Sequence, residues 1–145
     1  MTPDCAFCRI AQGEADESLV VLEDERTLAF LDHRPLFPGH TLLTPRKHIE
    51  TLIDLPDDLL PEFFANARLL ARAMEEGLGA DGSFVAINNR VSQSVPHLHV
   101  HVVPRRFKDG LRGFFWPRHK YESDEQAAEV ATQLRETVAA LGSKG

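Results

Sequence analysis

Pro96-His97-Leu98-His99-Val100-His101-Val102-Val103-Pro104 alternates imidazole with aliphatic side chains over three successive pairs. A β-strand turns successive side chains to opposite faces, so His97, His99 and His101 are expected on one face and Leu98, Val100 and Val102 on the other. The first face offers chemistry and the second offers core. Successive imidazoles would stand roughly 6.6 Å apart, twice the strand rise, near enough to surround one phosphate or one metal ion. Near neutral pH an imidazole is largely uncharged, nucleophilic toward phosphorus and able to carry protons. Three in strict alternation are improbable by composition in a chain that holds seven histidines. The competing readings are a row of structural core histidines and a His-x-His metallohydrolase site, the latter without its usual partner carboxylate in the motif.

Outward from this row, residues 83–87 read as a strand, and Asn88-Asn89-Arg90-Val91-Ser92-Gln93-Ser94 as the loop leading into the histidines. Amides, hydroxyls and exposed backbone N–H groups of such a loop bind phosphate oxygens without added charge. Over residues 56–78, Leu59, Leu60, Phe63, Phe64, Ala67, Leu70, Ala71 and Met74 recur at helical spacing, and Gly77 and Gly79 end the run. Residues 19–23 and 27–32 read as a hairpin around Asp24-Glu25-Arg26, and residues 40–44 as a third strand after the turn-rich 35–39. Asp32 ends its strand in a position suited to a ribose, because a carboxylate accepts hydrogen bonds from both hydroxyls. Residues 105–118 form a loop rich in glycine and aromatics, suited to pack over a cleft or a partner subunit. Ser123-Asp-Glu-Gln126 carries the capping-box pattern, and Ala127, Val130, Ala131, Leu134 and Val138 trace one apolar helix face to about Leu141. The fold class is α+β: one antiparallel sheet of about five strands, a long covering helix and a C-terminal helix, in a single domain over 1–145.

A chain of 145 residues buries a full core without disulfides. No apolar run reaches the ~20 residues that span a bilayer, and Met1-Thr2-Pro3-Asp4-Cys5 lacks signal-peptide character, so a soluble, cytoplasmic protein without membrane contact is expected. The net charge of −6 argues against a nucleic-acid partner. Arg105, Arg106 and Lys108 instead suit a small polyphosphate. In a cytoplasmic chain, Cys5-x-x-Cys8 is a redox pair, a metal clip or two buried thiols. Two thiolates need two further ligands to close a tetrahedral zinc site.

His97-Leu-His99-Val-His101-Val-Val, with Gln93-Ser94-Val95-Pro96 before it and Phe30-Leu-Asp32, Pro38-Gly-His40 and Pro45-Arg-Lys-His48 upstream, resembles the histidine triad superfamily of nucleotide hydrolases and transferases. The likeness spans about residues 4–107. It implies the triad fold, a homodimer, and a small-molecule nucleotide as substrate. His99 would be the nucleophile at an α-phosphorus, giving a nucleotidyl-histidine that water cleaves. His101 would contact the phosphate and move a proton, His97 would stiffen the strand, and His40 would be the supporting fourth histidine.

Further implied by the resemblance are a ribose contact at Asp32, apolar base contacts at Phe7, Ile10 and Phe30, an α-phosphate contact at Asn88 or Asn89, with Asn88 preferred, a leaving-group contact at Ser94, and a nucleotide contact at Gln93. His33 stands where many relatives have an apolar base contact. Cys5, Cys8, His48 and His97 match a structural zinc set. No catalytic metal is required, although magnesium can accompany a polyphosphate. The expected substrates are diadenosine polyphosphates or adenosine phosphoramidate: the helix after the triad is similar to the polyphosphate hydrolase branch, and Trp116-Pro117 to the phosphoramidase branch. A nucleotide-binding regulator with little turnover and a zinc-dependent metallohydrolase are the alternatives.

Overall fold

Two strands buried along almost their whole length form the centre of the protein. β2 (Thr27–Leu31) and β3 (Thr41–Pro45) pair antiparallel, with Ala29 opposite Leu43 and Phe30 opposite Leu42. β1 (Val20–Glu23), β4 (Gly82–Ile87) and β5 (Val100–Arg105) complete one five-stranded antiparallel sheet in the order β1-β2-β3-β5-β4. The computed structural model describes residues 5–14, 16–112 and 118–142. Phe114, Phe115, Trp116 and Pro117 of the expected aromatic loop lie outside the described residues.

A sheet with two apolar faces needs a cover on each. On one face α2 (Leu60–Leu78) presents Phe63, Ala67, Leu70 and Met74 to Ala29, Leu43, Leu98, Val100 and Val102. On the other, α1 (Ala6–Arg9) brings Phe7 and Cys8, with Cys5 at its cap, against Leu28, Phe30 and Leu42. The observed architecture is the expected α+β one. The alternation of the histidine row holds as well: His101 is opposite Leu42, on the α1 face, while Val100 and Val102 join the α2 core.

Two boundaries differ from the sequence reading. Pro56 belongs to a turn in which Leu59 N donates to Pro56 O, and α2 starts at Leu60, placing Pro61 in the first helical turn, where no N–H is missed. The helix then runs through Gly77 and stops only at Gly79, whose φ of 68° lets its N–H reach Glu75 O. The second difference bears on the site. Ladder pairing of β5 begins at Val100, so His97 and His99 lie beyond the paired sheet, where Leu98 N donates to Ile49 O at 2.7 Å.

The chain divides into two compact units, residues 1–109 and 110–145. The sheet and its two covers belong to the first. In the second, α3 (Asp124–Gly142) starts with one half of the expected capping box: Ser123 Oγ accepts from Gln126 N, whereas Gln126 Oε1 accepts from Glu122 N, one residue before the cap. Leu134, Val138 and Leu141 on its apolar side stand exposed. No helix among the described residues is long and apolar enough to cross a membrane.

Gly39 delivers the chain into β3 just before His40. Its φ is 105°, and a Cβ there would lie 2.5 Å from Leu78 Cδ1 and 3.3 Å from Pro104 Cγ. Gly39→Ala combines an unfavourable backbone conformation with a clash, and is expected to lower unfolding free energy by about 1–3 kcal/mol. An unchanged urea midpoint would contradict this account of the turn.

Candidate active site and metal centre

The three histidines of the motif divide between two neighbouring sites. His97 is fully buried and turns its Nδ1 to the thiols, 3.4 Å from Cys5 Sγ and 3.5 Å from Cys8 Sγ. His48 Nδ1 lies 3.2 Å from Cys8 Sγ. His97 Nε2–H donates to Pro45 O at 2.8 Å, which leaves the Nδ1 lone pair toward the sulfurs. Cys5 caps α1 and Cys8 lies one turn on, so both sulfurs reach the same point; Cys8 N donates to Cys5 Sγ.

Sequence spacing left the use of these thiols open, and the structure gathers Cys5, Cys8, His48 and His97 with all ligand atoms within 4.8 Å of one another. Tetrahedral zinc with ordinary Zn–S and Zn–N bonds separates its sulfur and nitrogen ligands by about 3.6 Å. The sulfur–nitrogen distances of 3.2–3.5 Å match that requirement. The donor set therefore fits zinc.

The second site holds His99, His101, His40 and Asp32, and its hydrogen-bond partners assign its protons. His99 is 3 % exposed, and its Nδ1–H donates to the carbonyl of His97 at 2.8 Å. In the neutral form of the ring this bond leaves the lone pair on Nε2, and a neutral imidazole oriented by a backbone carbonyl is a nucleophile. Leu36 N–H donates to His40 Nδ1 at 3.0 Å, so the proton of His40 is on Nε2. That proton points to His101 Nδ1 at 3.0 Å, which puts the proton of His101 on Nε2. The rings of His99 and His101 stand 5.0 Å apart. The result is an unprotonated nitrogen beside an N–H donor.

Burial, then the neighbouring His99 and His40, push His101 from 6.5 down to about 4, with Asp32 opposing. Burial also lowers His40, again against the pull of Asp32, whose Oδ2 is 3.7 Å from His40 Nε2. Both rings are held neutral near pH 7.

Asp32, His40 and His101 are also near enough to share an ion. A cation there would need the Nε2 of His40, and Leu36 N–H already occupies the other nitrogen, so the ring would have to lose its only proton. The group is a proton network. Nor do the three triad rings surround one ion, as a metallohydrolase reading requires: His97 faces the thiols, while the Nδ1 of His99 is held by a carbonyl. The expectation that all three enclose one phosphate or metal is corrected on the same ground.

Other expected site residues take varied places. Asp32 Oδ1 accepts from Arg34 N, leaving Oδ2 near His40. Phe7 and Phe30 meet edge to face, centroids 5.5 Å apart, with Ile10 packed beside them. His33 is exposed, 3.9 Å from Asp32. Asn89 Oδ1 accepts from Leu52 N, whereas Asn88 and Ser94 are exposed. Gln93 is a strut of its loop: Nε2 donates to Glu50 O, and Oε1 accepts from Arg90 N.

The expected polyphosphate role of the basic run is not favoured for its arginines. Arg105 is paired with Asp109, and Arg106 donates to Leu78 O. Sequence reasoning missed the groups that set the tautomers: the carbonyls of Pro45 and His97 and the N–H of Leu36. Main-chain groups have no sequence signature.

A HIT domain profile matches residues 12–108, and the chain belongs to the histidine triad family. Adenylylsulfatase HINT3 of Arabidopsis thaliana is 30% identical over 145 residues, covering 95% of this chain and 71% of the relative. Adenosine 5'-monophosphoramidase HNT1 of Saccharomyces cerevisiae is 33% identical over 123 residues, covering 83% and 75%. A HIT family crystal structure from Bacillus subtilis matches with a TM-score of 0.81 at 34% identity, over 92% of this chain and 96% of the other. A zinc-bound histidine triad family protein from Mycobacterium smegmatis matches with a TM-score of 0.69 at 37% identity, over 98% of both chains.

The proton assignment has a pH consequence. Because the folded His101 has its affinity for a proton depressed, the unfolded chain binds that proton first. The contribution to stability is complete above about pH 6.5 and is lost as pH falls toward 4. In histidine-ring NMR, His101 should titrate near pH 4 and show the Nε2–H tautomer, with His99 as the Nδ1–H tautomer. A His101 midpoint near 6.5 would refute the assignment.

Proposed function

We propose that this protein hydrolyses nucleoside 5'-phosphate derivatives, releasing the nucleoside monophosphate through a nucleotidyl-histidine at His99. The observation that carries the reading is the 2.8 Å hydrogen bond from His99 Nδ1–H to the carbonyl of His97, which frees Nε2 for attack. Asp32 holds the ribose hydroxyls, with Ile10 and Phe30 on the base side. Ser94, Asn88 and backbone N–H groups of loop 88–94 meet the phosphoryl oxygens.

In the first step His99 Nε2 forms a bond to the α-phosphorus while the bond from phosphorus to the leaving atom breaks. The leaving group departs with the bonding pair, and the Nε2–H of His101 donates to it. In the second step water adds to the same phosphorus, its proton passes to solvent, and the phosphorus–nitrogen pair returns to His99. A neutral His101 suits a donor that stabilises charge without giving up its proton, so a polyphosphate or sulfate leaves as the anion, while an amine takes its proton from solvent as the bond breaks.

Cys5, Cys8, His48 and His97 hold a structural zinc in this reading, supported by the donor geometry and by the zinc-bound mycobacterial relative. Bound there, the metal would tie α1 and its cap residue Cys5 to the segment that carries His99. Like its relatives named for an adenylyl sulfate and an adenosine phosphoramidate, the chain takes an AMP moiety, with polyphosphate, sulfate or amine as leaving group. Function in the cytoplasm and as a homodimer belongs to the same proposal.

AMP release from diadenosine tetraphosphate, adenylyl sulfate and adenosine phosphoramidate tests the reaction. His99→Ala should reduce release from the best substrate by about 10³-fold or more while AMP still binds. Tight AMP binding with no wild-type turnover on any of them would favour a nucleotide-binding regulator. For the metal, Cys8→Ser should lower zinc content and the melting temperature together; full zinc content in that variant would refute the assigned ligands.

A further inference from the structure

Phe7 lies between the two cysteines. The tetrapeptide Cys5-Ala6-Phe7-Cys8 is a single turn of chain, and it touches two histidines of the motif at once. Its sulfurs stand at 3.4 and 3.5 Å from His97 Nδ1. Its phenyl ring stands perpendicular to His99, with centroids 4.9 Å apart and planes at 85°. The same ring contacts His97 at 5.9 Å and Phe30 at 5.5 Å, so it is packed on several sides and is only 8% exposed.

One hydrogen bond fixes one atom of the His99 ring and leaves rotation about the side-chain bonds open. A perpendicular aromatic neighbour packed against the ring restricts that rotation, and edge-to-face contact is preferred over a face-to-face sandwich. The carbonyl of His97 and the ring of Phe7 are thus two separate restraints on one imidazole. Both meet at the Cys5-Ala6-Phe7-Cys8 turn, since His97 faces its sulfurs and Phe7 lies between them in sequence.

We infer that Phe7 is a positioning residue for His99, and that through Phe7 and His97 the Cys5/Cys8 metal centre governs how often the nucleophile is aligned. The inference rests on the nucleophile role proposed for His99. It differs from a base contact in what it affects: aligning His99 changes the rate of the nucleotidylation step, whereas touching the base changes affinity.

The decisive variant is Phe7→Leu, which keeps an apolar side chain beside the clip and removes the ring, with Phe7→Tyr as the variant that restores it. Three measurements are needed on the zinc-loaded protein: the single-turnover rate of nucleotidyl-His99 formation, the Kd for AMP, and the ¹⁵N signals of the His99 ring without ligand. Phe7→Leu should slow nucleotidylation roughly three- to tenfold, the range an aromatic pair supplies, with less than twofold change in Kd. Its His99 signals should move from a single Nδ1–H tautomer toward a mixture, and Phe7→Tyr should recover both rate and signal.

A raised Kd with an unchanged rate would overturn the inference in favour of a base contact. Unmoved ring signals in Phe7→Leu at full zinc content would overturn it as well. If the wild type forms no nucleotidyl-histidine, the proposed reaction fails, and the ring signals still decide whether Phe7 orders His99.

Discussion

The hydrogen bond from His99 Nδ1–H to the carbonyl of His97 is the constraint on which the site depends. A histidine on a strand can present either nitrogen and can turn about two side-chain bonds. Holding one nitrogen on a main-chain oxygen removes the tautomer choice, provided that the oxygen itself does not move. His97 meets that condition, since its side chain is fully buried between Pro45 O and two cysteine sulfurs. The orientation of His99 is therefore only as fixed as the packing of His97.

Hydrogen bonds fix the rings on the far side of His99 as well. A backbone N–H from Leu36 fixes His40, His40 fixes His101, and His101 presents an N–H next to the open nitrogen of His99. Burial keeps His40 and His101 uncharged, so the network stays intact across neutral pH. Oriented neutral donors such as these can stabilise developing charge without rearrangement during a reaction.

Much of this was legible in the residues. Period-two alternation in 97–103, the helical spacing of Phe63, Ala67, Leu70 and Met74, and the Ser123 cap each rest on local rules that tertiary contacts did not override. Local rules were weakest where a single side chain had several possible partners. Gln93 is a loop strut because Glu50 O and Arg90 N happen to flank it, and Arg105 is paired because Asp109 follows a tight turn. The start of α2 also moved, since Pro61 tolerates only the first turn.

The sequence by itself determined that His97, His99 and His101 share a face, that the opposite face is core, and that the sheet is covered by a long helix, because strand and helix periodicities are properties of the chain. Only the tertiary structure decided that the three histidines serve two sites. That division comes from where residues 5–8, 36, 45 and 48 approach the row, and from backbone carbonyls and amides that every residue has, so their influence is set by position in the fold and leaves no trace in residue type.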